Sequence, residues 1–509
     1  MERENLLRFC ETRPEKRQGW SVLTNRGHRQ QEMEYVNLEE MVPKDHLLRK
    51  IDRHVDFEFI REKCRPLYCE DNGRPSLDPV MLFKMLLLGY LYGIRSERRL
   101  VQEIEVNLAY RWFLGMSLRE EAPHHSTFSQ NRIRRFNGTP LVEEIFGEIV
   151  GQAMKKGLLE GRQLFTDSTL LKANANRKRF EERRVEQVKQ EAREYLEDLD
   201  REVEEDRHLH GKKPLKEKQE EAQGDNRAVK VSLTDPESGY VYREGKPEGF
   251  YYSSHVTVDG KHNLVTDVHV TAGNVSDGSC YLQRLDHQRK RFGFEVEEVA
   301  LDAGYLNMPI CRGLQERGIF GVIAHRRFHP RKGFIPKGKY VYDGRSDSFT
   351  CPEGQELTYR RTDREGYRHY VSDASVCGNC PLRVECTTSR EMKKTLTRHI
   401  WESSREWVRM NRLMPRGKEL YARRKETIER CFADAKELHG MRYARYRGRE
   451  RVQEQCLLTA TAQNIKKMAL VLSRMGGGNP SQGNHLPFPS LKILLSRFLP
   501  SLFCLQEAW

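Results

Sequence analysis

The sequence predicts an α/β protein: a mixed sheet with flanking helices, preceded by an all-helical N-terminal domain and interrupted by a cysteine-containing insertion. Three observations lead there. Residues 35–150 keep helical spacing of apolar side chains nearly throughout, broken at "DNGRPS" and "REEAPHHS". From residue 160 onward, short β-rich runs are interleaved with helical ones, as expected for helices packed on a sheet. Cys377, Cys380 and Cys386 then crowd into "CGNCPLRVEC", between the last apparent core strand and a long C-terminal helical region.

A chain of 509 residues is long enough for roughly two to four domains. The expected divisions are an extension (1–34), a helical domain for DNA binding and dimerisation (35–150), and a first core part (160–325). A Cys-containing insertion (326–395), a helical second core part (396–475) and a flexible tail (476–509) follow. "PVMLFKMLLLGYLYGI" (79–94) predicts a buried helix with Asp78 as N-cap and Pro79 at its first position. It carries Lys84 and falls short of the roughly 20 residues a bilayer span requires, so no membrane partner is expected. "HHSTFSQNRIRRF" (124–136) predicts a short helix, capped by Ser126 or Thr127, carrying Arg132, Arg134 and Arg135. It is either a DNA-contacting helix or a solvated basic one.

In the core, "LFTDSTLLKANANR" (164–177) predicts a buried strand ending at Asp167. Residues 178–223 are charge-dense, with Val185, Val188, Ala192, Leu196, Leu199 and Val203 at spacings of three and four, which predicts an amphipathic helix or coiled-coil arm. "SSHVTVD" (253–259) and "LVTDVHV" (264–270) read as a hairpin about Asp259-Gly260. A helix near 276–290, the strand "EVEEVALDAG" (295–304), a helix near 308–317 and the strand "IFGVIAH" (319–325) complete the order.

Lys and Arg number 88 against 74 Asp and Glu, a net charge of +14 that favours a polyanionic partner such as nucleic acid. The opening "MERENLLRFCETRPEKRQ" is polar, so a reducing cytoplasm is the expected setting, and clustered Cys suggest metal before disulfide. Cys377, Cys380, Cys386 and Cys351 are candidate ligands for one structural Zn²⁺.

Two carboxylates follow apolar strands, Asp167 and Asp302 (in "VALDAGYLN"). Side by side they repel unless a cation lies between them, and Mg²⁺ takes such carboxylate pairs. A third acid belongs on a helix crossing that edge. Glu429 fits: Lys425 and Lys436 share its face, and Ile428, Phe432 and Ala435 are spaced to pack on a sheet. A surface ion pair is the alternative. "HGMRYARYRGRER" (439–451) interleaves Arg442, Arg445, Arg447, Arg449 and Arg451 with Tyr443 and Tyr446, a nucleic-acid-binding composition or a solvated loop.

Asp167 in "FTDSTLLKANANR", Asp302 in "ALDAGYLN" and Glu429 in "KETIERCFADAKELHGMRY" resemble the bacterial insertion-sequence transposases of the DDE class. The likeness is to the group with a Tyr-Arg-Glu-Lys signature. "DPVMLFKMLLLGYLYGIRSERRL", "HHSTFSQNR", "TDPESG" and "VTAGNVSDG" extend it over roughly residues 30–475. The resemblance implies a ribonuclease H-like core and metal-dependent cleavage and strand transfer of DNA. Asp167, Asp302 and Glu429 would hold two Mg²⁺ ions, with Mn²⁺ able to substitute. Partners would be double-stranded DNA (terminal inverted repeats and target) and a second copy in a synaptic homodimer, at the bacterial nucleoid. Tyr421, Arg424 or Lys425, and Lys436 would contact the DNA.

The usual signature, Tyr-x2-Arg-x3-Glu-x6-Lys, is not matched throughout: Tyr421-x2-Arg424 reaches Glu429 only after four residues. Either Lys425 takes the Arg role or the register shift is tolerated. A ribonuclease H-like nuclease without strand transfer, and an inactive DNA-binding derivative, are the alternative functions.

Overall fold

The computed structural model describes residues 36–69, 76–136, 138–184, 193–215, 228–242, 248–325 and 332–475. The expected N-terminal extension and tail, and Val185, Val188 and Ala192 of the charged run, lie outside these residues.

The first strands in chain order are β1 (Gln163–Lys172), β2 (Phe180–Arg184), β3 (Ala228–Ser232), β4 (Gly239–Val241) and β5 (Gly249–Asp259). They are followed by β6 (Val265–Ala272), β7 (Glu298–Leu301) and β8 (Phe320–Ile323). Six of them form one mixed sheet. Its order runs β6-β5-β1-β7-β8, with short β4 alongside the start of β5. β5 is antiparallel to both β1 and β6, whereas β7 is parallel to β1 and β8. The parallel pairs need crossovers, supplied by helices Tyr281–Phe292 and Met308–Glu316. The hairpin forms where it was expected: the Asp259 amide bonds the Leu264 carbonyl at 2.8 Å, and Asn263 takes the left-handed turn conformation (φ 59°).

β6 is an edge strand and its outer backbone groups need partners. The helix Arg449–Met475 supplies them through amide side chains. Asn464 accepts from the Val265 amide (2.8 Å) and donates to its carbonyl (2.7 Å); Gln453 does the same for Val270 N (2.7 Å) and Val268 O (2.8 Å). The helical N-terminal part packs on this helix too, through Leu47–His54, Pro79–Leu91 and Leu141–Lys155. Buried side chains from Leu48 to Ala469 form one continuous core. The helix Pro79–Leu91 is capped as expected, Asp78 Oδ1 accepting from Val80 N at 3.1 Å.

A second sheet is an antiparallel meander of β9 (Val341–Asp343), β10 (Ser348–Thr350), β11 (Glu356–Thr362), β12 (Tyr367–Ser372) and β13 (Thr395–His399). Tyr340, Phe349, Leu357, Tyr370 and Leu396 make its small core. The helix Arg193–Leu209 docks on it: buried Asp206 accepts from Arg368 Nε at 2.8 Å, and Arg207 donates to the Thr362 carbonyl at 2.6 Å.

Several expectations need correction. The charged run does not begin as a helix; Phe180–Arg184 is a strand paired with β3, where its backbone hydrogen bonds are met. The helix expected near 276 starts at Tyr281, because residues 276–280 are taken up by turns such as Ser279 N to Ser276 O (3.2 Å). β1 does not stop at Asp167 but continues to Lys172, its later residues still paired with β5. Among the described residues no helix is long and apolar enough to cross a membrane.

Candidate active site

The parallel pairing of β1 with β7 runs from Gln163↔Glu298 to Thr166↔Leu301 and then ends. Asp167, the next residue of β1, and Asp302, the residue just past β7, flank the point where the two strands part. Asp167 is four-fifths shielded from water, with 20% of its side chain exposed. Burial pushes its carboxyl up to about 6. The Arg424 guanidinium and the Ser168 amide oppose that shift, and the Asp302 and Asp277 carboxylates add to it.

Glu429, half-exposed on the helical segment over β1 and β5, is linked to Asp167 through Arg424. Arg424 is buried at 5% exposure, forms an ion pair with Asp167 and lies 3.5 Å from Glu429 Oε1. Its helix is anchored by Arg423, which donates to the Gly260 carbonyl of the hairpin turn at 2.6 Å. Ile428, Phe432 and Ala435 are buried beneath it, as their spacing predicts.

The extra residue in the signature has a structural answer. Residues Lys425–Glu429 form a π-helical turn between α-helices Pro415–Arg424 and Arg430–Glu437. Five residues apart on an α-helix, two side chains diverge by about 140°. The wider π turn absorbs the added residue and returns Glu429 to the side of Arg424. Arg424, rather than Lys425, therefore meets both acids; Lys425 is exposed. Tyr421 is half-buried and near enough to Asp302 and Asp167 for their charges to act on it, though burial is the larger cause of its raised pKa. Lys436 is part-exposed one helix further on.

Asp277 is an acid that sequence reasoning missed. Its Oδ1 accepts from Ser168 Oγ at 2.6 Å, next to Asp167. The only signal for it was the run "VTAGNVSDG", in which no residue had been singled out.

Other expected contact residues divide between packed and exposed positions. Tyr305, three residues past Asp302, is 1% exposed and meets Tyr281 edge-on, so it belongs to the core. Arg132 pairs with Glu97 at 2.5 Å and lies over the Tyr446 ring. It lies in a π turn, Arg132–Phe136, that follows the helix Ser126–Asn131 and breaks the single helix expected there. Arg135 covers Tyr68 and bonds Asn131, while Arg134 is exposed. In the basic run, Arg445 packs over Tyr90 with its guanidinium 4.2 Å from the ring centroid. Arg447 donates to the Asn174 carbonyl at 3.0 Å, and Arg442 pairs with Glu437. Lys172 and Ala444 join backbones at 2.8 Å, tying this run to the end of β1.

The four candidate zinc ligands lie on and beside the second sheet. Cys386 Sγ sits 3.0 Å from the Tyr340 hydroxyl, and Cys377 donates to Ser372 Oγ at 3.1 Å. Cys351 and Cys386 pack against the small core of the second sheet. Cys351, Cys377 and Cys386 all lie close enough to the Tyr340 hydroxyl for their charges to act on it. Among the described residues no group of three or more His, Cys, Asp or Glu side chains is arranged to hold a metal ion. For the acids the reason is visible: the guanidinium of Arg424 stands between Asp167 and Glu429. The donor set itself suits a hard divalent cation, being carboxylate oxygens around Asp167, whose charged form partial burial disfavours.

Residues 36–134 match the family described as "Transposase domain (DUF772)", and residues 350–469 match "Transposase DDE domain". The chain resembles the DDE transposases. The second match includes the helix bearing Glu429 and stops short of Asp167 and Asp302, whose placement rests on the sheet register. The matched domains indicate a DNA transposase, an enzyme of nuclease or transposition chemistry. A cryo-EM structure of the piggyBac transposase synaptic complex with hairpin DNA is similar at 11% identity, over 88% of this chain and 86% of that one, with a TM-score of 0.30. A likeness this slight carries no argument about fold. No curated protein matches.

Proposed function

We propose that the chain binds insertion-sequence ends and catalyses metal-dependent strand cleavage and strand transfer, using a ribonuclease H-like core. The observation that carries this reading is the register: Asp167 and Asp302 flank the parting of two parallel strands, with Glu429 drawn toward them by Arg424. The strand order supports the core assignment, with an antiparallel trio, β6, β5 and β1, continued by parallel β7 and β8.

Asp167 and Asp302 would hold the divalent ions, Mg²⁺ or Mn²⁺, and Glu429 would join them once Arg424 swings away. Bound there, the metals would acidify the attacking water or hydroxyl and stabilise charge on the leaving oxygen. Arg424 already meets two carboxylates, so a scissile phosphate offers it an equivalent anion with bidentate geometry. Lys425, on the π turn, and Lys436, on the helix that follows it, would hold flanking phosphates, which set the register of a duplex. Exposed Arg134 would add a contact from the helical N-terminal part. Two copies would pair the element's ends, at the bacterial nucleoid.

The test is incubation of the full chain with its flanking element DNA, Mg²⁺ and a target plasmid. Cleavage at the ends with joined products is expected. Asp302→Asn should lose both by about 10³-fold or more, the scale of losing an essential group in a coupled catalytic unit. Equal cleavage by the variant would refute the assignment, and cleavage without joined products would favour a nuclease.

A further inference from the structure

Asp277 lies between β6 and the helix Tyr281–Phe292, where the Val275 amide bonds the Ala272 carbonyl (3.0 Å) and turns the chain back over β1. There it is linked to both strands of the acid pair. On the β1 side its Oδ1 accepts from Ser168 Oγ at 2.6 Å, and the backbone amide of that same Ser168 donates to Asp167 Oδ1 at 2.8 Å. One residue is thus held from both sides. On the β7 side, a Cβ at Gly304, two residues past Asp302, would stand 3.2 Å from Asp277 Oδ2. The glycine lets the turn after Asp302 close onto Asp277. A short hydroxyl-to-carboxylate bond is among the stronger neutral–charged contacts, and it fixes the residue whose amide aims Asp167.

We propose that Asp277 is a positioning residue of the catalytic centre: acting through Ser168, it sets the orientation of the Asp167 carboxylate toward Asp302. This rests on the reading of those two acids as cation ligands. A hydrogen-bond partner behind a ligand changes metal affinity by about 10- to 100-fold when removed. It does so without itself touching the metal.

The experiment is Mn²⁺ titration of the full chain by electron paramagnetic resonance, with thermal unfolding of each variant alongside. Ser168→Ala and Asp277→Asn should each weaken Mn²⁺ binding about tenfold or more. Ser168→Thr, which keeps the hydroxyl, should bind as the unaltered chain does. That rescue separates orientation from bulk stability, since a merely structural role moves the unfolding midpoint and leaves the affinity of folded protein alone. Ser168→Ala and Asp277→Asn binding as the unaltered chain, while Asp167→Asn binds no Mn²⁺, overturns the positioning role alone. An unaltered chain that takes up no Mn²⁺ overturns the cation centre and the positioning role with it.

Discussion

Two charged regions meet different fates in this molecule. The arginines of 442–451 look at first like the functional half of the sequence, and those with partners are satisfied locally: Arg445 packs on Tyr90, while exposed Arg447 and Arg442 bond a backbone carbonyl and Glu437. The acids at the parting of β1 and β7 are left in mutual conflict, with one guanidinium shared between Asp167 and Glu429 and further carboxylates pressing on Asp167. Unrelieved charge, rather than abundant charge, marks the candidate site.

The largest expected effect sharpens that contrast. Asp302→Asn should abolish cleavage, whereas Arg445→Ala should leave more than about a tenth of it, because one residue is essential chemistry and the other is a buttress. Comparable losses in the two variants, measured on the same DNA, would erase the distinction.

A second effect is in stability against pH, measured with chelator present. Asp167 has a folded-state value of about 6 against an ordinary 3.8. The folded state then binds that proton more tightly, so the contribution favours folding below pH 4 and is lost as pH rises through 6. Denaturant unfolding should show the stability of the unaltered chain, relative to Asp167→Asn, falling by about 2 kcal/mol between pH 4 and pH 7. A flat difference would mean that Arg424 compensates the carboxylate fully.

Smaller still is the cost of Arg445→Ala, about 1–2 kcal/mol of lost ring contact and packing, read as a lower unfolding midpoint. Smallest is Arg134→Ala, which should leave the midpoint unchanged and reduce the salt slope of DNA binding by about one unit. If Arg445→Ala changed the slope and Arg134→Ala the midpoint, the two roles would have been exchanged.

Much of this arrangement could be read from the chain before its coordinates. "EVEEVALDAG" announces a buried strand ending in an acid, and β7 with Asp302 follows directly. Ile428, Phe432 and Ala435 announce the packed face under Glu429. Asp167 was marked for the wrong reason: the polar residues after it looked like a strand end, yet they are the half-buried part of β1 still paired with β5. Spacing also failed at Arg424, because counting residues assumes an α-helix, and a π turn changes the count without changing the face. Asp277 was silent because its partner, Ser168, is 109 residues away in sequence. The basic run is mixed, since composition cannot tell an exposed arginine such as Arg442 or Arg447 from one that covers a tyrosine, as Arg445 does.

The helix Arg449–Met475 completes a core begun four hundred residues earlier, closing over Leu47–His54, Pro79–Leu91, Leu141–Lys155 and the outer strand β6. A growing chain on the ribosome must therefore carry that unfinished apolar surface until this last segment emerges. Synthesis halted before residue 449 would release a protein with its strand edge bare and prone to association, so truncation is expected to yield aggregate rather than a smaller working domain.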